Sequence, residues 1–310
     1  MTDAPSLEAI AAARLEATEA AKLMRRLNKT VPVRGVRETI ALPGRALDAV
    51  VYPAAEKGAP AVFAFHGGGF MFGGCALDDH LWHAVRESLG ANVISIDYRK
   101  GEENPFPVPL YDAYEAIKYY VDSEAHDFDR GRIAVMGNSA GATESATVSI
   151  LANRRKEYSI GLQILVYPFL DSVTPPEAKP VDPMDVAMYT YFNDAHAQKE
   201  DRADPLVSPV YASREDLTGL PRAVVVLAEA DGLFGEGAQY ADMLQESGVQ
   251  VDRMVAKGMA HGFLEIAYQD KLEDWCPPAI VAAAADGTLA EQTERAMEFI
   301  KRHFVDWAGR

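Results

Sequence analysis

Cysteine is nearly absent from this chain: Cys75 and Cys276 are the only two among 310 residues. So few thiols exclude a disulfide framework and offer no metal-ligand spacing, and they suit a reducing compartment, so the expected location is the cytoplasm. Basic residues are also scarce. Thirty Lys and Arg stand against 46 Asp and Glu, and the formal charge of −16 argues against a nucleic-acid or anionic-membrane partner, since either needs clustered cations. The acidic excess is read as a source of solubility. No apolar run is longer than a strand, so no transmembrane helix is expected. Ser6 to Asn28 is rich in alanine but broken by Glu8, Arg14, Glu16, Glu19 and Lys22, and lacks the uncharged core of a signal peptide. There is no internal repeat and no low-complexity linker.

What is present is the composition of a globular protein, 48% hydrophobic and 25% charged, with enough length to bury a large core. The N-terminal stretch reads as helix, with Leu7, Ile10, Ala11, Arg14 and Leu15 spaced as one apolar stripe. Two β-rich segments follow, Val33 to Leu42 and Ala46 to Tyr52, and Pro43-Gly44 between them predicts a hairpin. Six further strands are predicted at Ala61–Phe65, Asn92–Ile96, Ile133–Met136, Gly161–Tyr167, Ala223–Ala228 and Val249–Val255, alternating with helical stretches. Solid apolar strands are buried on both faces, and strand–helix alternation implies crossovers. The expected architecture is a mostly parallel, eight-stranded α/β sheet covered by helices on both sides. One stretch breaks the alternation. Residues 171–209 are polar and proline-rich, with Met184, Met188, Tyr189, Tyr191 and Phe192 at helical spacing. That is too long for a plain loop, so a cap is expected there over the C-terminal edge of the sheet, completed by residues 1–32, on a single domain spanning 1–310.

Gly137-Asn138-Ser139-Ala140-Gly141 falls between a predicted strand and a small-residue helical stretch. A G-x-S-x-G in that setting is a sharp turn that lifts the serine hydroxyl above the sheet, at a helix N-terminus that favours developing negative charge. A serine needs a base. His261, in the loop Gly258-Met259-Ala260-His261-Gly262-Phe263 after the last predicted strand, is the candidate. His303 sits among Lys301, Arg302 and Phe304 and is expected on a solvated helix face, while His80, His83, His126 and His196 have no comparable context. Asp231 follows the strand ending near Ala228 and completes the order serine, acid, histidine, with Glu229 and Glu236 as nearby rivals. His66-Gly67-Gly68-Gly69 follows the strand Ala61–Phe65. Backbone N–H groups of Gly68 and Gly69, with that of Ala140, are expected to form an oxyanion hole. His66 is expected to orient this loop. A phosphate-binding reading fails, because no Lys-Ser/Thr follows and the G-x-G-x-x-G spacing is absent.

Together these residues resemble the α/β-hydrolase superfamily, and within it the hormone-sensitive-lipase-like esterases. Gly73 after the glycine run, Asp97-Tyr98-Arg99 with Glu103, Pro105-Phe106-Pro107 and Asp112, Tyr167-Pro168, Ser208-Pro209, Asp231-Gly232-Leu233 with Glu236-Gly237, and His261-Gly262-Phe263 fall in that family's order. The resemblance implies a cofactor-free serine carboxylester hydrolase, free of metal, that acts on small-molecule esters with short acyl chains through an acyl-enzyme. Ser139, Asp231 and His261 are then catalytic. Phe70, Phe72, Met188 and Phe192 are the candidates for the substrate pocket. An amidase, formamidase or small-peptide hydrolase would use the same machinery. A ligand-binding module on a decayed hydrolase scaffold should have lost a triad member, and this chain has all three. Asn138 and Ala142 stand where that family usually has Asp and Gly. Glu144 stands where an apolar residue is common, either as an early-helix acid with a local partner or as a pocket charge that disfavours anionic substrates. Residues 265–289 are longer than the family needs and are read as a rim or interface element. A homo-oligomer stays open.

Overall fold

Ser6 starts the first helix for a local reason: its hydroxyl oxygen accepts a hydrogen bond from the N–H of Ala9 at 3.1 Å. The computed structural model describes residues 5–180, 183–272 and 276–309. Residues 1–4, 181–182 and 273–275 of the expected cap and rim segments lie outside the described residues, as does the Met184 side chain. The helix, α1, runs Leu7–Thr30. The expected leucine stripe is not its buried face. Leu7 and Leu15 are 86% and 66% exposed, and the buried residues are Ala13, Ala17, Ala21 and Asn28. Small side chains allow a close approach to the neighbouring helix, and that neighbour, not the longest side chains, sets the rotation of α1.

Next come β1 (Val36–Leu42), β2 (Arg45–Tyr52), β3 (Ala61–Phe65), α2 (Asp79–Leu89), β4 (Asn92–Ile96) and α3 (Val108–Asp122). The middle of the chain forms β5 (Ile133–Asn138), α4 (Ala140–Arg155), β6 (Leu162–Val166), α5 (Pro183–His196) and the single turn α6 (Arg214–Leu217). The last part holds β7 (Arg222–Ala228), α7 (Phe234–Glu246), β8 (Val251–Ala256), α8 (Phe263–Ala267), α9 (Pro278–Asp286) and α10 (Thr288–Ala308). The eight strands form one sheet in the order β1-β2-β4-β3-β5-β6-β7-β8, with β1 and β2 antiparallel to their neighbours and the other pairs parallel. The expected hairpin closes between Leu42 and Arg45, with Gly44 at φ +74°.

Alternate residues of β3 show why the central strands read as solid apolar runs. Val62 and Ala64 join the core under α2 and α10, while Ala61, Phe63 and Phe65 join the core under α3 and α4. Both faces are covered, so both must be apolar. β3 lies between β4 and β5, and the strand order reverses there. Open α/β sheets form their ligand crevice at such a switch, at the carboxyl ends of the strands. The segments leaving β3 and β5 in this crevice are His66-Gly67-Gly68-Gly69 and Ser139. Above it, Ala17 of α1 packs with Met71 and with Tyr191 and Ala195 of α5.

Candidate active site

The turn after β5 is as tight as the sequence requires. A Cβ on Gly137 would lie 2.0 Å from the carbonyl oxygen of Gly141, and one on Gly141 would lie 2.0 Å from that of Phe65. Only glycine fits at either position. Ser139 sits between them at φ +54°, ψ −121°, a conformation rarely adopted by a side-chain-bearing residue, directly before the first residue of α4.

His261 lies in the loop between β8 and α8, and Asp231 follows β7 by two turn residues. His261 Nδ1 is 2.7 Å from Asp231 Oδ2, and His261 Nε2 is 2.8 Å from Ser139 Oγ. A carboxylate can only accept, so Nδ1 carries the proton and Nε2 is left to accept from the serine hydroxyl. Asp231 is buried, and its other oxygen accepts the N–H of Leu233 at 2.9 Å, which fixes the carboxylate plane. The rival acids are engaged elsewhere. Glu229 pairs with Lys257 and with the N–H of Gly258. Glu236 accepts from the N–H groups of Leu170 and Asp171 and from Lys179 Nζ, and burial pushes its carboxyl up to about 7 against the pull of Lys179.

The N–H groups of Gly68, Gly69 and Ala140 make no hydrogen bond with any described residue. Gly68 and Gly69 have φ of +117° and +58°. A Cβ on Gly68 would meet the backbone of Phe72 at 2.8 Å, and one on Gly69 would meet the Phe192 ring at 2.5 Å. His66 supports the loop from below. Its ring is buried, stacks on Tyr98 with centroids 4.4 Å apart, and places Nδ1 2.8 Å from the carbonyl oxygen of Gly67. Burial, helped by the charge of Lys100, lowers its pKa and keeps it neutral.

The four pocket candidates separate. Phe72 and Phe192 are half-buried and meet edge to face with centroids 5.4 Å apart, and Met188 packs beside them. Phe70 does not join them. It is 1% exposed and stacks flat on His196 at 3.5 Å, so it supports the loop from within rather than lining a surface. Two other expectations also need correction. The His303 ring is half-buried between Arg222, whose Nη2 lies 3.1 Å from its Nδ1, and Asp252, and not on a solvated helix face. Glu144 is buried with no partner at Oε2 among the described residues, so the expected local partner is missing there, and burial raises its pKa to about 8.

One group at the site was not anticipated as a site residue. Glu265, in α8 four residues beyond His261, accepts a hydrogen bond from the Tyr167 hydroxyl at Oε2. The Tyr167 ring in turn meets the His261 ring edge to face at 5.1 Å. Its place at the start of α8, directly after the His261 loop, was the available signal.

Residues 62–265 match the α/β-hydrolase fold family. An arylesterase of Saccharolobus solfataricus is 34% identical over 77% of this chain and 81% of its own length. A carboxylesterase of Mycobacterium tuberculosis is 31% identical over 76% of this chain and 73% of its own. Among solved structures, a hyperthermophilic esterase from the archaeon Pyrobaculum calidifontis superposes with a TM-score of 0.72 at 30% identity, covering 93% of this chain and 94% of that one. The chain belongs to the α/β-hydrolase fold family, as its resemblance to the hormone-sensitive-lipase-like esterases implied.

Proposed function

We propose that the protein is a serine carboxylesterase. The observation that carries this is the continuous relay from Asp231 through His261 to Ser139, with the N–H groups of Gly68, Gly69 and Ala140 bonded to no described residue. Ser139 Oγ attacks the ester carbonyl carbon while its proton passes to His261 Nε2. The oxyanion is held by the N–H groups of Gly68, Gly69 and Ala140, and the imidazolium by Asp231. When the tetrahedral intermediate collapses, the C–O bond to the alcohol breaks and His261 returns the proton to the leaving oxygen. Water then repeats the sequence on the acyl-enzyme, releasing the acid and restoring Ser139. No step calls for a group beyond the chain and water.

α1 and residues 171–209 act in this reading as a cap, which their packing over the glycine loop supports. The closeness of Phe192 to Gly69 supports short acyl chains. Two buried cysteines outside any disulfide support a reducing compartment such as the cytoplasm. Ser139→Ala should fold normally and lower turnover of p-nitrophenyl acetate by about four to six orders of magnitude, with loss of labelling by a fluorophosphonate. Undiminished turnover by the variant would remove the assignment.

A further inference from the structure

The carboxyl of Glu265 has one oxygen engaged by another side chain and one that is not. Oε2 is taken by the Tyr167 hydroxyl, the residue's own N–H also hydrogen-bonds the carboxyl, and no other described residue donates to Oε1. A point marks where Oε1 sits relative to the nucleophile: the place a Cβ on Gly67 would occupy. Oε1 is 3.7 Å from that point and the Ser139 Cβ is 3.5 Å from it. Gly67 has no side chain to fill the space. Oε1 and the nucleophile therefore border the same small volume, at the start of the glycine loop whose next two residues would offer N–H groups to a substrate oxygen.

We propose that Glu265 is a specificity residue of this site, selecting esters that carry a hydroxyl group close to the scissile carbonyl. The inference rests on the esterase reading above. The choice of hydroxyl follows from what a carboxyl can exchange. Burial, with the charge of Asp78 adding to it, pushes Glu265 up to about 8, so near neutral pH both its protonated and ionised forms are within reach. A hydroxyl can accept from the first and donate to the second. An ammonium suits only the ionised form, and a carboxylate only the protonated one. A purely aliphatic substrate would close over Oε1 and strip its water without replacing it, which penalises binding. The bond from Tyr167 holds the carboxyl in place, and Oε1 keeps acceptor capacity with which to read the substrate.

The test compares matched esters on one preparation, so that the fraction of active enzyme cancels. Methyl 3-hydroxybutyrate is set against methyl butyrate for an acyl-side hydroxyl, and 2-hydroxyethyl acetate against ethyl acetate for an alcohol-side one. The wild-type protein should favour the hydroxylated member of at least one pair by about tenfold in kcat/KM. Glu265→Leu should bring that ratio to within about twofold of unity. Glu265→Gln, whose amide both donates and accepts, should keep a ratio of several-fold. A residue that merely braces Tyr167 against His261 would lower both members of a pair together and leave the ratio unchanged. That result, or a wild type with no preference in either pair, overturns the proposal. Ser139→Ala is run alongside. If it still hydrolyses the plain esters, the esterase reading falls; if it is inactive, the ratios speak for Glu265 alone.

Discussion

Glu144 is a buried carboxyl whose Oε2 has no hydrogen-bond partner among the described residues, and such a group gives stability a pH dependence of its own. Burial raises its pKa in the folded protein to about 8, from 4.5 in an unperturbed chain. Below both values the folded and unfolded states are equally protonated, and the group contributes no pH dependence. Between them the unfolded chain has lost the proton that the folded chain keeps, so stability falls as pH rises, by up to about 1.4 kcal/mol per pH unit. Glu144→Gln removes the titration. Its melting temperature relative to the parent should therefore rise between pH 5 and pH 8, as followed by thermal denaturation. A difference that is the same at both pH values would show that Glu144 ionises freely. His261 gives the opposite dependence, and in activity rather than stability. Nε2 must be unprotonated to receive the Ser139 proton, so turnover should fall on acidification. A rate that is flat from about pH 5 to 8 would remove His261 from that role.

Elements around the site are held by pairs that cross long stretches of chain. Lys179 and Glu236 lie 2.7 Å apart with side chains only 7% and 6% exposed, and Lys179 also donates to the carbonyl oxygen of Asp171. Through Glu236 this pair fastens the start of the 171–209 segment to α7. Lys179→Met would leave a buried carboxylate with two backbone donors and no cation, at a loss of about 3 kcal/mol or more. The denaturation midpoint should fall, and limited proteolysis should open the chain between residues 171 and 180. A variant as stable and as resistant as the parent would show that the pair does not anchor the segment. The contact between Gly69 and Phe192 makes a different prediction. Gly69→Ala places a methyl group against the ring and strains a backbone at φ +58°. Hydrolysis should drop about a hundredfold as the hole is displaced. Adding Phe192→Ala should recover part of that loss by removing the clash, though the backbone strain stays. No recovery at all would mean that strain alone accounts for the loss.

Across the whole molecule, what could be read from the sequence was whatever a segment encodes by itself. β3 and β4 span Ala61–Phe65 and Asn92–Ile96 as expected, because a strand buried on both faces must be apolar throughout. The glycines around Ser139 were legible for a similar reason, as no other residue fits that turn. What failed depended on distant partners. The rotation of α1 was set by α5, the place of Phe70 by His196, the burial of His303 by Arg222, and the engagement of Glu265 by a tyrosine 98 positions away. The attachment of α1 to the rest of the fold is the largest arrangement of this kind. Asn28 Nδ2 donates to Asp97 Oδ2 and Asn28 Oδ1 accepts from the N–H of Ala76, each at 2.8 Å, while Met24 Sδ accepts from the N–H of Gly73. One buried amide thus joins the N-terminal helix both to the residue following β4 and to the chain just beyond the glycine loop. Asn28→Ala would leave the Ala76 N–H buried without an acceptor, a loss of about 1–3 kcal/mol. If α1 is part of the cap, the loss should also reach the site, and KM for a short-chain ester should rise several-fold while the Ser139 burst persists. A destabilised variant with unchanged KM would reduce α1 to a structural strap, because loosening its attachment would then leave substrate binding untouched.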